Sequence, residues 1–561
     1  MWPDRPAQVD RDVVAILASQ LRLLELRFTP GHHSLEIGGA AMESGELLPR
    51  PVSSVVGSKP GGRGGWRAAL YLIAVGFLER IGFFGVQGNL IMYLTGPLGM
   101  STVAAAAGVN AWAGTVQLLP LVGALVADSR LGRYRGVVAG GVLYLLSLGM
   151  LTAASTLQDH REGSAPSVAW LAFFYAALYL LAVAQGFHRP CAEALGADQL
   201  TPGDAASRSS YFNWYHFSLS WGYATSTTVL SYVEDNVGWT AGFGACCSTM
   251  VLYLAVFLLG TPTYRRAERP VDGGIPFTEA VRAWAATASR RKGATGTERL
   301  LCRPEHDEDG KGSLAVALLQ IWATSLVFGA VFAQVSTLFT KQSSTLERRV
   351  AVPGVGTTLV VPPAALHCFV SATYIAMLPL YDRALVPLAR RLTGRRAGLT
   401  TLQRAGAGMA ASGVAMAVAA LVEARRLRVA RDAGLVDRPD VAVPMSLWWA
   451  APQYVLMGVA GVLAEVGLGE FFYDQVPDAL RSVGVALSIS AMGAGSYASG
   501  MLVSAVDWAT RRSTGQSWFS DNLNRAHLDY FYWLLAGLAA LDVAVFLHFA
   551  GRYVYRNKGD L

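Results

Sequence analysis

The chain has 561 residues, 53% of them hydrophobic and only 15% charged, with a mean hydropathy of +0.35. That composition excludes an ordinary soluble domain and fits a protein with many membrane passes. The formal charge of +7 does not point to nucleic acid, because the Lys and Arg residues fall in short segments between apolar runs, as membrane topology places them. Cys191, Cys246, Cys247, Cys302 and Cys368 form no CxxC pair and mostly sit inside apolar runs, so neither a disulfide framework nor a metal site is expected.

Residues 1–65 are polar with scattered Pro and Gly, and read as a disordered cytoplasmic tail. Val13 to Leu24 is too short to span and is followed by no small-residue cleavage site. Met42 offers a second possible start. Glu43 stands four residues before the Leu47–Leu48 pair, an acidic dileucine pattern that points to the vacuolar membrane, with the plasma membrane as the alternative.

Apolar runs of about 20 residues, enough to cross a hydrocarbon core of about 30 Å, then recur near 68–96, 103–127, 134–156, 167–195, 209–231, 237–260, 313–340, 362–381, 399–422, 444–472, 482–506 and 528–550. The longest polar interruption divides them six and six. The expected architecture is therefore all-α: an N-terminal six-helix bundle at 66–260, a cytoplasmic linker at 261–312, a C-terminal bundle at 313–550 and a short cytoplasmic tail at 551–561. Phe277 to Lys292 in the linker reads as an amphipathic helix, or else as a solvated connector. Lys and Arg are more than twice as numerous on the side that holds both termini, which places the termini in the cytoplasm. The basic run from Arg425 to Arg438 goes against that count.

Two opposite charges, Glu79 and Arg80, stand side by side within the first apolar run. An ionised group near the bilayer centre costs about 2.5–3.5 kcal/mol on insertion scales, so it persists where a bundle interior or a water-filled cavity solvates it. A solute carrier is the function such a residue suggests. The competing reading is a structural pair, although buried pairs are a weak source of stability. His188 and His216 read as satisfied interior histidines, and Tyr211, Phe212, Trp214, Tyr215 and Phe217 as packing with one or two cavity contacts. No GxxxxGK[ST] loop, nucleophile elbow or zinc-ligand spacing occurs, so nothing supports ATP-driven pumping or a membrane enzyme, and no cofactor is expected.

Four segments, GFLERIGFFGVQGNLIMYLTGPLG, GALVADSRLGRYR, GFHRPCAEALGADQ with YFNWYHFSLSWG, and GLGEFFYDQVPDALRSVG, together resemble the plant nitrate and peptide transporter family, the proton-coupled oligopeptide transporter branch of the major facilitator superfamily. The resemblance implies a major facilitator fold with twelve transmembrane helices in two bundles, a small-molecule solute as partner, and a proton as coupling ion. It assigns proton coupling to Glu79, Arg80, Arg189 and Glu470, and solute contacts to Arg80, Arg189, Phe83, Phe84, Phe332 and Glu470. Asp128, Arg130, Arg133 and Arg135 form a charged turn able to pair across helix ends.

The departures from the family pattern concern mechanism and substrate. Positions 76, 79 and 80 share one helical face, but Gly76 stands where the family usually has a further glutamate. Arg189 replaces the family's lysine and cannot act as a proton relay. Restoring the acid, Gly76→Glu, is expected to steepen the pH dependence. Phe83 and Phe84 replace the tyrosines of the family, and an unpaired buried polar group costs about 1–3 kcal/mol, so nitrate or an organic metabolite is favoured over peptides. Phe332 stands where nitrate-carrying relatives place a histidine, which weakens a simple nitrate assignment. Proton-coupled transport, uncoupled uniport or export, and solute binding without turnover all remain open at this point.

Overall fold

The computed structural model describes residues 64–126, 131–159, 167–200, 205–265, 308–351, 358–385, 400–475 and 481–553, with positions 387 and 391. The dileucine, the amphipathic segment at 277–292, Asp128 and Arg130 lie outside the described residues. The first half contains α1 (Trp66–Thr95), α2 (Thr102–Val126), α3 (Arg133–Asp159), α4 (Val168–Ala197), α5 (Ala205–Thr225) and α6 (Trp239–Gly260). α5 runs on through a π-helical turn at Ser226–Leu230 into a last helical turn at Ser231–Asn236. The second half contains α7 (Glu308–Phe332), α8 (Cys368–Leu380, entered by a 3-10 turn at Pro363–His367), α9 (Thr401–Asp432), α10 (Ala451–Gln475), α11 (Arg481–Thr514) and α12 (Leu528–Arg552). Among the described residues, nine helices are long and apolar enough to cross a membrane, and Ala317–Phe332 and Pro363–Leu378 are shorter apolar helices. An even number of passes brings Trp66 and Arg552 to the same end, here the near end.

Local chemistry explains where the helices start. Ser167 accepts a hydrogen bond from the Trp170 amide ahead of α4, and Thr400 and Gln403 close a capping box ahead of α9. Small residues then decide how closely the helices pack, as is usual where lipid removes the hydrophobic drive between them. Gly123 of α2 lies on the Gly186 carbonyl of α4, and Gly495 of α11 lies 2.6 Å, at Cβ distance, from the Leu326 carbonyl of α7. Neither site has room for a side chain. Pro190 in α4 also removes the amide that would bond the Gly186 carbonyl, loosening the helix one residue after Arg189.

The halves meet along α2 and α11, where the Asn110 amide donates to Ser499 Oγ (3.0 Å) and Thr115 and Tyr497 share a hydrogen bond of 2.5 Å. Further polar contacts between the halves gather at the far end. Arg348 pairs with Asp235 at 2.5 Å, Lys341 donates to Thr95 Oγ1 at 2.9 Å, and the Thr102 amide donates to Asp521 at 2.8 Å. Burial holds the Lys341 pKa below the ordinary lysine value, with Asp521 acting in the opposite direction. Four short strands decorate this end, a feature absent from the all-α expectation: β1 (Leu346–Glu347) pairs parallel with β4 (Val443–Ser446), and β2 (Arg349–Ala351) antiparallel with β3 (Thr358–Val360).

The basic run after residue 422 turns out to be largely helix. α9 continues to Asp432, and Arg426 is fully buried, donating through Nε and Nη2 to Glu423 (2.9 and 2.7 Å) and through Nη1 to Asn524 (2.7 Å). Arg425 stacks on Trp449 at 4.0 Å. The fold engages these two arginines, so they do not form the free basic loop that the charge count treats them as.

Candidate functional site

Glu79 lies mid-helix in α1, 1% exposed, with Tyr144 of α3 and His188 of α4 set against it. Tyr144 of α3 donates to Glu79 Oε1 at 2.5 Å and also contacts Gln185 of α4. Glu79 Oε2 faces Arg80 Nε at 3.6 Å and His188 Nε2 at 3.9 Å. His188 is itself buried, its Nδ1 sharing a 2.8 Å hydrogen bond with the Tyr253 hydroxyl of α6, while Nε2 has no hydrogen-bond partner. The result is a buried cluster of one carboxyl group, one guanidinium at its rim and one imidazole whose Nε2 has no hydrogen-bond partner. Arg80 extends from this pocket toward Phe84, its guanidinium 5.5 Å from the ring centroid.

Arg189 sits one residue beyond His188, half-buried, with no hydrogen bond or ion pair of its own among the described residues. Its electrostatic neighbours are Arg80, Glu465, Glu193 and Glu79. Glu465 belongs to α10 of the other half and accepts a 2.8 Å hydrogen bond from Tyr374 of α8. A cation from one half thus stands within electrostatic reach of an acid from the other.

Three residues named from sequence fall together here: Glu79, Arg80 and Arg189. Glu470 does not join them. It is half-exposed and faces Arg404 at 3.4 Å, whose guanidinium lies 4.1 Å from the Tyr381 ring. Glu465, overlooked in the sequence, is the acid of that half within electrostatic reach of Arg189. Phe83 is buried and stacks on Trp112 with centroids 5.8 Å apart, so it is packing, whereas Phe84 is half-buried against Tyr223 at 4.3 Å. Phe332 packs beside Phe328. In the charged turn, Arg133 pairs with Asp198 at the end of α4 at 2.6 Å.

Gly76 is not an empty acid slot. A Cβ there would lie 2.8 Å from Tyr215 Cε2 and 3.2 Å from a Leu219 methyl, because α5 packs its aromatic ring where a glutamate would stand. This packing speaks against the expectation that Gly76→Glu steepens pH dependence. The variant should overpack the α1–α5 contact, a change costing about 1–3 kcal/mol or more, and show reduced accumulation and a lower melting temperature in detergent. Normal accumulation with a steeper pH response would contradict this.

Sequence signals for the missed residues were slight. Tyr144 and Gln185 lie in apolar runs that carry no visible sign of which face turns inward, and Glu465 stands only five residues before the more conspicuous Glu470.

Comparison with known proteins agrees with this architecture. The model of the PTR2/POT family matches residues 134–316 and 301–519. The protein NRT1/PTR FAMILY 5.10 of Arabidopsis thaliana is 45% identical over 93% of this chain and 99% of its own length, and NRT1/PTR FAMILY 5.16 of the same plant is 43% identical over 92% and 99%. Among solved structures, an auto-inhibited POT family peptide transporter superposes with a TM-score of 0.68 at 20% identity, covering 88% of this chain and 98% of that one. A POT family transporter in complex with 5-aminolevulinic acid gives 0.65 at 14% identity, covering 87% and 98%. These similarities make the chain a multi-pass membrane protein with the twelve-helix major facilitator fold, and it belongs to the POT family of transporters, the NRT1/PTR family of plants.

Proposed function

We propose that the chain moves a small polar or anionic solute by alternating access between its two six-helix halves, with a proton as the coupling ion. The observation that carries this reading is the buried Glu79, hydrogen-bonded to Tyr144 and flanked by Arg80 and His188, together with Arg189, which makes no hydrogen bond or ion pair among the described residues and lies within electrostatic reach of Glu465 of the opposite half. A proton on Glu79 would weaken its hold on Arg80. An anionic solute at Arg189 would compete with Glu465 for the same cation. Each event changes the charge balance between the halves, which is what a solute-driven change of access needs.

The absence of a hydroxyl at the half-buried Phe84 supports nitrate or an organic metabolite over a peptide. For location, the reading keeps the termini in the cytoplasm and the protein in the vacuolar or plasma membrane. The decisive experiment is solute uptake in a heterologous membrane at two external pH values. Coupled transport gives accumulation that grows with acidity. A second reading, uncoupled uniport or export, is favoured by the Tyr215 ring occupying the space beside Gly76 and by the permanent charge of Arg189. It gives pH-insensitive equilibration instead, and binding without flux would overturn both.

Arg189 provides a finer test. Arg189→Ala should weaken anionic solutes by about tenfold or more relative to neutral ones, the equivalent of roughly 1.4 kcal/mol, while Arg189→Lys keeps the charge and should retain most transport. Equal loss for both solute classes would mark a purely structural arginine.

A further inference from the structure

A second buried acid lies outside this cluster. Glu234, in the last turn beyond the π-helical segment of α5, is 1% exposed. Its Oε2 accepts from the Asn89 amide of α1 at 3.1 Å, while Glu234 Oε1 and Asn89 Oδ1 are both buried with no hydrogen-bond partner. Gly242 of α6 leaves the room in which the side chain sits. Among the described residues no Lys, Arg or His lies within ion-pair distance of it.

A desolvated carboxylate with no cation costs several kcal/mol, whereas a neutral carboxyl facing a carboxamide can form a closed ring of two hydrogen bonds. In that ring the amide N–H donates to one carboxyl oxygen and the acid O–H donates to the amide oxygen. The two atoms left without partners here are the two that the acid proton would join. We propose that Glu234 is a second protonation site, holding a proton against Asn89 while the far end is closed and exchanging it when that end opens.

The surroundings fit a gated site. The next residue, Asp235, makes the bridge to Arg348 of the other half, so opening the far end would break the contact beside Glu234. The titratable groups facing it are Asp235 on its own element and the Cys246 thiol on α6. On α1, Glu79 and Arg80 stand about three turns away, roughly 15 Å along the axis, and Lys341 reaches that helix only at Thr95. His367, at the start of α8, approaches α1 at Gly88, with its Nδ1 3.8 Å from where a Cβ would stand. The inference extends the proton-coupled reading but does not require Glu79 to be the coupling acid.

The test is infrared spectroscopy of the full chain in lipid nanodiscs. The carbonyl stretch of a protonated carboxylic acid should be present at neutral pH, lost in Glu234→Gln and retained in Glu79→Gln. The same band in wild type and Glu234→Gln would overturn the assignment. Should Glu234→Gln not accumulate, Asn89→Leu removes the amide and leaves the acid, and the band must then shift in frequency. An unchanged spectrum would refute the pairing. Arg348→Ala opens the neighbouring bridge and should weaken the band at neutral pH, and full retention would refute gating. Uptake plays no part in these readouts, so failure of proton coupling at Glu79 would leave them interpretable.

Discussion

Replacing Glu79 with Gln should reduce pH-driven uptake by roughly a hundredfold or more while the protein still reaches the membrane. Glutamine keeps the shape and can still accept from Tyr144, so the packing of α1 against α3 and α4 is preserved. The charge, however, is gone. Arg80 then lies at the rim of a buried pocket without its charged neighbour, and removing one member of a buried pair typically costs about 3–5 kcal/mol. If that cost falls on the state that must switch, each 1.4 kcal/mol removes about a factor of ten in rate. Uptake measured across external pH in a heterologous membrane reads the effect directly. Normal, pH-dependent uptake by this variant would exclude Glu79 as the coupling site, and pH-independent residual uptake would favour the uncoupled reading.

Arg426→Ala should be the most destabilising single change away from the transport path. It would leave the Glu423 carboxylate fully buried without a cation, and would strip the Asn524 side chain and the Leu523 carbonyl of their donor. A loss of about 3–5 kcal/mol is expected, seen as poor accumulation and a markedly lower melting temperature in detergent. Replacing both partners, Glu423→Leu with Arg426→Met, should recover much of the loss because no isolated charge remains buried. A single variant as stable as wild type would mean that water enters the cluster.

Much of the fold was legible because crossing a membrane imposes a length and a composition that a linear sequence displays. Glu79 and Arg80 were legible for the same reason: ionised groups stand out in an apolar run. The facing of polar residues was not. Five residues separate Glu465 from Glu470, about 140° around a helix axis, so only one of them can face Arg189. Glu470 was conspicuous through its resemblance to a family motif, and Glu465 through nothing but its charge. Gly76 misled in a related way. A sequence shows that an acid is absent, but only packing shows that Tyr215 already fills the space. Tyr144 and His188 became partners of Glu79 through the close approach of three helices, a matter of rotation that apolar runs with little amphipathic contrast do not encode.

The π-helical turn at Ser226–Leu230 acts on α5 like a spare tooth in a gear. One extra residue in a turn re-phases everything after it by about 100° relative to an uninterrupted α-helix. Upstream, Tyr215 meets Gly76; downstream, Glu234 meets Asn89 and Asp235 meets Arg348. Deleting a single residue from this turn would leave the composition almost untouched, yet it would swing both acids off their partners together.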